Sequence, residues 1–370
     1  MLLLAGAIAA PVGGLAQEGG DRLRVVASFS VLADVARNVA GDAADVTALM
    51  PLNADPHSFV PAPRDLVALA EADVVFTVGA SFEEGMAVSV ANAGADVNVV
   101  VASACVAILP FGDEAAHADD AAHADDAAHG DDAAHADDVA HADDSEIAAL
   151  CAAHQAELAA LVGEAADAPQ DAASLGRLYA LDCGAAHEAG GCDPHVWTDP
   201  YNVMLWTMMV RDTLSALDPD HAAAYADNAA AYLEALNALV NEEIAPAVGT
   251  IPEASRKLVT NHAALGYFAH RFGFAVVGLV IPGASTLAEP SAAEVAGLID
   301  AIRAEGVPAV FAETTVNPDL ARRIAEETGV PFYTLYTGSL GEPDGPAGTY
   351  LDYMRHNVRT IVAALGGTVQ

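Results

Sequence analysis

The 370-residue sequence predicts an α/β protein with two Rossmann-like halves, mostly parallel sheets, and one long helix joining them. Three observations carry this. Short β-branched runs alternate with helix-patterned segments from Arg24 to Val101. The same alternation restarts at Lys257. Between them, His221 to Val248 is Ala-rich and periodic, with Tyr225, Tyr232, Leu236 and Leu239 on one face. The length also exceeds what one hydrophobic core usually fills, so about two domains are expected.

In order, 24–28 (RVVAS) reads as a buried strand. A helix follows, with Val31, Leu32, Val35 and Val39 inward and an end near Gly41. Asp45 to Met50 is a second strand, followed by the loop PLNADPHSFVPAP and a helix over Pro63 to Ala72. Asp73 to Gly79 and Val97 to Val101 are further strands. Cys151 to Val162 and Tyr201 to Leu217 read as helices. Pro246 is expected to kink or end the long helix, because it lacks an N–H and its ring crowds the preceding turn. The second series is strand KLVTN, helix Ala263 to Phe272, strand FAVVGLV, helix Ser291 to Glu305, strand PAVFAE, helix Asp319 to Thr328, strand PFYTLY and helix Tyr350 to Leu365. Glu289 is read as starting the fourth of these elements together with Ser291. The expected organisation is a signal segment at 1–20, a first lobe at 21–217, a linking helix at 218–248 and a second lobe at 249–370. Ligands of such folds sit beyond the carboxyl ends of the strands, in a cleft.

Charge excludes some partners. The net charge is −38, from 52 acidic against 14 basic residues, and Lys257 is the single lysine. Phosphate binding needs a basic surface, so nucleic acid is excluded, and an anionic membrane surface would repel the chain. A cation suits the sign. Met1 to Ala10 has the length of a signal h-region and small residues follow at 14–16, although no positive n-region precedes it. Export is therefore expected. No cysteine lies there for lipid attachment, and no later run is long enough to cross a membrane.

The cysteines are Cys105, Cys151, Cys183 and Cys192. In an exported protein an even count favours disulfides. Cys183 with Cys192 and Cys105 with Cys151 is the preferred pairing, and free buried thiols are the alternative. Cys183, His187, Cys192 and His195 also have knuckle-like spacing, but export favours the disulfide.

Residues 115–144 are five copies of a six-residue unit of the type AAHADD, placing His117, His123, His129, His135 and His141 at equal intervals. The segment has ten acids, no base and Val139 as its one larger apolar residue, so 113–146 is expected to stay disordered. On a helix, a period of six rotates successive histidines by about 240° net, so they would not form one pre-built site. The composition suits a weak, multivalent metal-collecting loop; a low-complexity linker without a role is the alternative.

Several motifs then follow in order: ADPHSFVPAP at 54–63, the His-rich insertion, DPHVWTDP at 193–200, NHAALGYFAHRFG at 261–273, AEPS at 288–291, FAETTVNP at 311–318 and LYTGSLGEPDGPAGTYLDYM at 335–354. His57 and His195 each follow Asp-Pro, which stiffens the loop around an imidazole. In this order the motifs resemble the zinc- and manganese-type binding proteins of metal ABC importers, the TroA-like or helical-backbone metal-receptor family. The resemblance runs from about Arg24 to the end. It implies metal ligation by His57 and His195 from the first half and His262 from the second, with the ion in the interdomain cleft and a rigid helix limiting hinge motion. The family usually has an acid where this chain has Gly338, so the fourth ligand is left to water, to a carboxylate such as Glu313, or to a loop residue. Glu313 is otherwise expected to accept from a ligand imidazole. His270 is expected to be a surface residue.

Three imidazoles favour Zn²⁺ over Mn²⁺, which prefers more carboxylate oxygen. The leading expectation is a non-catalytic, monomeric receptor that captures Zn²⁺ and passes it to a membrane permease. A metal-dependent adhesin, a storage protein using the repeat, or a zinc hydrolase are the competitors. The chain contains no H-E-x-x-H.

Overall fold

The computed structural model describes residues 22–83, 85–86, 97–109, 144–163, 192–283 and 286–368. The expected signal segment, Cys183, His187 and the five repeat histidines lie outside these residues.

Two four-stranded parallel sheets form the frame. The first contains β1 (Leu23–Ala27), β2 (Ala44–Ala48), β3 (Val74–Thr77) and β4 (Val99–Val101) in the order β2-β1-β3-β4. The second contains β5 (Lys257–Thr260), β6 (Ala275–Leu279), β7 (Val310–Glu313) and β8 (Phe332–Leu335) in the order β6-β5-β7-β8. The order is the same in both when counted from each first strand. The chain therefore reverses direction of travel between β1 and β3 and again between β5 and β7, and these switch points open a crevice at the carboxyl ends.

Helix α1 (Ser30–Ala40) is buried along nine of its eleven residues, since it sits between the first sheet and three other helices. It stops at Gly41, whose φ of 54° and ψ of −133° are open to glycine alone. Asn228 of the long helix donates to Val39 O at 3.0 Å, tying the end of α1 down. Helix α2 (Pro63–Glu71) begins with Pro63 and has Asp65 accepting from the Ala62 N–H at 2.8 Å.

Helix α3 (Asp144–Val162) starts seven residues before the expected Cys151 and so takes in 144–146, which composition assigned to the loop. Cys105 and Cys151 are bonded, with Cα atoms 4.9 Å apart. Cys192 is also disulfide-bonded, which removes it as a thiolate ligand for the knuckle arrangement. Helix α4 (Pro200–Leu217) is started by Asp199, which accepts from the Tyr201 N–H at 3.0 Å, and is buried from Pro200 to Val210.

The long helix has three parts: α5 (Ala222–Ala238), a π-helical turn Leu239–Ile244, and α6 (Ala245–Gly249). Pro246 neither ends nor sharply breaks it. The widened turn in front of the proline gives its ring the room that an α-helical carbonyl four residues back would deny. At 1.5 Å per residue the whole spans about 40 Å. Its first part packs on α1 and α4 and its last on the C-terminal helix α10 (Tyr350–Ala364), so it touches both halves.

The second half adds α7 (Gly266–Phe272), α8 (Ala292–Glu305) and α9 (Asp319–Thr328). Ser291 and Glu294, not Glu289, form the reciprocal cap of α8. One large core runs from the first sheet through α4 and the long helix to α10, and a smaller one lies under α8 and α9. After β8 the chain crosses to the first half: Ser30 Oγ accepts from Leu340 N–H at 2.9 Å, and Asp34 Oδ2 accepts from Tyr350 N–H at 2.9 Å. No helix among the described residues is long and apolar enough to cross a membrane.

Candidate metal centre

His57, His195 and His262 come together where the two halves meet. His57 lies on the loop after β2, His195 on the segment leading to α4, and His262 directly after β5. They are 5 %, 1 % and 3 % exposed. His195 Nε2 is 3.1 Å from His57 Nε2 and 3.1 Å from His262 Nε2. The three ligand atoms all lie within 4.8 Å of one another, and they are the one such group of metal-competent side chains among the described residues.

The outer nitrogens explain why the inner ones converge. His195 Nδ1 is 2.9 Å from Asp193 Oδ1, which also accepts the His195 backbone N–H at 2.9 Å. His262 Nδ1 is 2.6 Å from Glu313 Oε1, which accepts the His262 N–H at 3.2 Å. When the carboxylate is ionised it only accepts, so its Nδ1 partner carries the proton, and in the neutral imidazole the facing Nε2 then presents a lone pair. Lone pairs 3.1 Å apart in a buried site repel unless a proton or a cation lies between them. Asp55 Oδ1 accepts the His57 backbone N–H at 3.1 Å, and its Oδ2 accepts the Thr286 hydroxyl at 2.6 Å, linking the His57 loop to the second half.

Burial and charge act in opposite senses here. Burial, joined by the charge of His262, holds His195 well below the ordinary imidazole range. Burial also disfavours charge on His262, but Glu313, through charge and hydrogen bond, together with the charges of Asp55 and Asp193 outweighs it and the net direction is up. Glu313 is raised by burial and lowered by His262 and by the Thr337 hydroxyl, with a net shift down. Burial pushes Asp193 up to about 7, against the His195 backbone bond and the charge of His262.

The surrounding wall is apolar. Phe82 stands 5.8 Å from the His57 ring and 6.4 Å from that of His195, and Trp197 stands 5.3 Å from His195. Phe82 is carried by a tight turn in which Gly79, Ala80 and Ser81 all have positive φ. Glu83 closes that turn by accepting the Val78 and Gly79 N–H groups at 2.6 and 3.1 Å. Gly266, at the start of α7, leaves room for Asp193: a Cβ there would run into the carboxylate. Tyr267 donates to Asp193 O at 2.9 Å and accepts the Leu109 N–H at 2.9 Å.

Gly338 lies against Pro56, with a virtual Cβ 3.0 Å from Pro56 Cδ and 3.3 Å from Thr315 Oγ1. Both oxygens of Glu313 are engaged, Oε1 by His262 and Oε2 by Thr337, which favours a supporting role over direct ligation. His270 is exposed. Phe82, Glu83, Gly266, Tyr267, Thr286 and Thr337 were not singled out by the sequence. Tyr267 and Gly266 fall within the NHAALGYFAHRFG motif, and Thr337 precedes Gly338, so motif membership was the available signal.

The fold and the site together define a two-lobed receptor with a buried three-imidazole pocket between parallel α/β sheets. The chain belongs to the family of the zinc-uptake complex component A, periplasmic (ZnuA), whose pattern matches residues 25–364. It is 30% identical over 349 residues to the manganese-binding lipoprotein MntA of Halalkalibacterium halodurans, covering 94% of this chain and 90% of that one. It is 26% identical to the iron-binding protein YfeA of Yersinia pestis, covering 93% and 87%. Among solved structures, the periplasmic zinc-binding protein TroA of Treponema pallidum shares the fold at a TM-score of 0.67 and 22% identity, covering 94% and 99%. A Mn-bound periplasmic metal-binding protein of Candidatus Liberibacter asiaticus does so at 0.66 and 23%, covering 93% and 100%. Since relatives such as MntA are named as lipoproteins, the lack of a cysteine near residue 20 gives no ground for an unanchored protein.

Proposed function

We propose that this protein is the extracytoplasmic receptor of a metal ABC importer, without catalytic activity, that captures Zn²⁺ between its lobes and delivers it to a membrane permease. The carrying observation is the convergence of three buried Nε2 atoms, two of which have their Nδ1 partners fixed by Asp193 and Glu313. His57, His195 and His262 are the ligands in this reading, Glu313 and Asp193 orient two of them, and water completes the tetrahedron. Relatives are named for manganese, iron and zinc, so the choice of zinc rests on the donors. Three neutral nitrogens and no carboxylate oxygen suit Zn²⁺ better than Mn²⁺. Manganese is the second reading, favoured by the MntA similarity.

The histidines at 117, 123, 129, 135 and 141 serve as a weak auxiliary collector. Leu109, the last described residue before that insertion, accepts the Asp193 N–H at 2.9 Å. The experiment is competitive metal binding against a chromophoric chelator, with Zn²⁺ and Mn²⁺, on the protein lacking 115–144 and on His57→Ala, His195→Ala and His262→Ala. One tight zinc site that survives the deletion and is lost in each alanine variant supports the proposal. Tighter manganese binding would favour the second reading, and loss of all tight binding with the deletion would favour storage.

A further inference from the structure

The segment Thr337–Gly338, just after β8, is linked to the His195 segment through Trp197, to His262 through Glu313, and lies beside Pro56 of the His57 loop. The buried Thr337 hydroxyl donates to Glu313 Oε2, while the other oxygen of Glu313 holds His262. The Thr337 carbonyl accepts the Trp197 indole N–H at 3.0 Å and the Tyr353 hydroxyl at 3.2 Å. Trp197 lies two residues after His195, and Tyr350 donates to its carbonyl at 2.7 Å. Gly338 lies beside Pro56, the residue before His57, close enough that a Cβ at 338 would crowd the proline ring.

We propose that Thr337 is a positioning residue for the bound metal, fixing the register between the imidazoles of His195 and His262 through Trp197 and Glu313. This rests on the reading of the three histidines as zinc ligands. A carboxylate bonded through one oxygen can still swing about its terminal torsion, which is broad for glutamate. A second hydrogen bond to the other oxygen removes that freedom and keeps Oε1 on His262 Nδ1. The carbonyl of the same residue then refers this arrangement to the opposite lobe.

The test measures zinc affinity by chelator competition on full-length Thr337→Val, Thr337→Ser, Glu313→Gln and the Thr337→Val/Glu313→Gln double variant, with the visible spectrum of the Co²⁺-loaded forms. Thr337→Val is expected to weaken zinc by about tenfold or more, the usual cost of losing an outer-shell partner, and to shift the Co²⁺ bands. Thr337→Ser, which keeps the hydroxyl, should stay within about threefold of the parent, and the double variant should be no weaker than the weaker single one. Thr337→Ala replaces Thr337→Val if the latter is unfolded by circular dichroism without metal. An unchanged Co²⁺ spectrum with affinity within about threefold of the parent, or additive losses in the double variant, would overturn the inference while leaving the site intact. Retention of full affinity by the three histidine-to-alanine variants would instead remove the metal site on which it rests.

Discussion

In the proposed site, metal and proton compete for the same Nε2 lone pairs, and the residues around them set the terms. His195 is held below the imidazole range by burial and by the charge of His262, so it stays a free base in mild acid. His262 is held above its ordinary 6.5, because Glu313, helped by Asp55 and Asp193, outweighs the burial that opposes its charge. Zinc affinity should therefore fall as the pH drops, with His262 protonated before His195 and the loss beginning above 6.5. Glu313→Gln removes the carboxylate that raises His262, so its affinity should be lower by about 10- to 100-fold near neutrality and its acid loss should begin at lower pH. Chelator competition at about pH 5 to 8 reads both. An onset unmoved by Glu313→Gln would show that another group controls the proton. Gly266→Ala should also weaken zinc, without altering a ligand, because the new Cβ displaces the Asp193 carboxylate that orients His195. Wild-type affinity in that variant would mean that Asp193 is not needed in its present place. That His57, His195 and His262 belong together was legible because Asp-Pro-His recurs at the first two and the motifs, including the one that holds His262, fall in order. Phe82, Gly266 and Thr337 were not, since their roles arise only when distant segments are folded together.

At the scale of elements, local chemistry marked most boundaries. Gly41 stops α1, Asp199 and Pro200 start α4, and Ser291 with Glu294 starts α8. Gly41→Ala should cost about 1–2 kcal/mol, from a positive φ that a Cβ resists, and crowds Asn228 as well. Denaturant titration checks this; a change under about 0.5 kcal/mol would mean that the turn relaxes freely. Three features escaped the sequence. The strand order depends on which side of the sheet each crossover packs, which no local pattern records. The π-helical turn before Pro246 is a compromise between an obstructing ring and the packing of α5, α6 and α10, so the expectation of a kink or stop was reasonable but incomplete. The early start of α3 at Asp144 shows the same limit, as the composition of 144–146 suggested loop.

Across the whole molecule, the site is formed by both lobes, with Asp55–Thr286, Trp197–Thr337 and Asp34–Tyr350 spanning the junction. An ion that binds only this folded arrangement stabilises both halves together, by about 4 kcal/mol at a thousandfold excess over Kd. Calorimetry with zinc and with chelator should show one transition shifting as a unit, and the shift should persist without 115–144. A shift confined to one of two separable transitions would place the ion within a single lobe. The central claim, three imidazoles on one cation, is tested most directly by anomalous diffraction at the zinc edge on crystals of the zinc-loaded protein. A single peak about 2.0–2.1 Å from the Nε2 atoms of His57, His195 and His262 is the expected result. A peak elsewhere, or one bound by fewer than three of these rings, would contradict it.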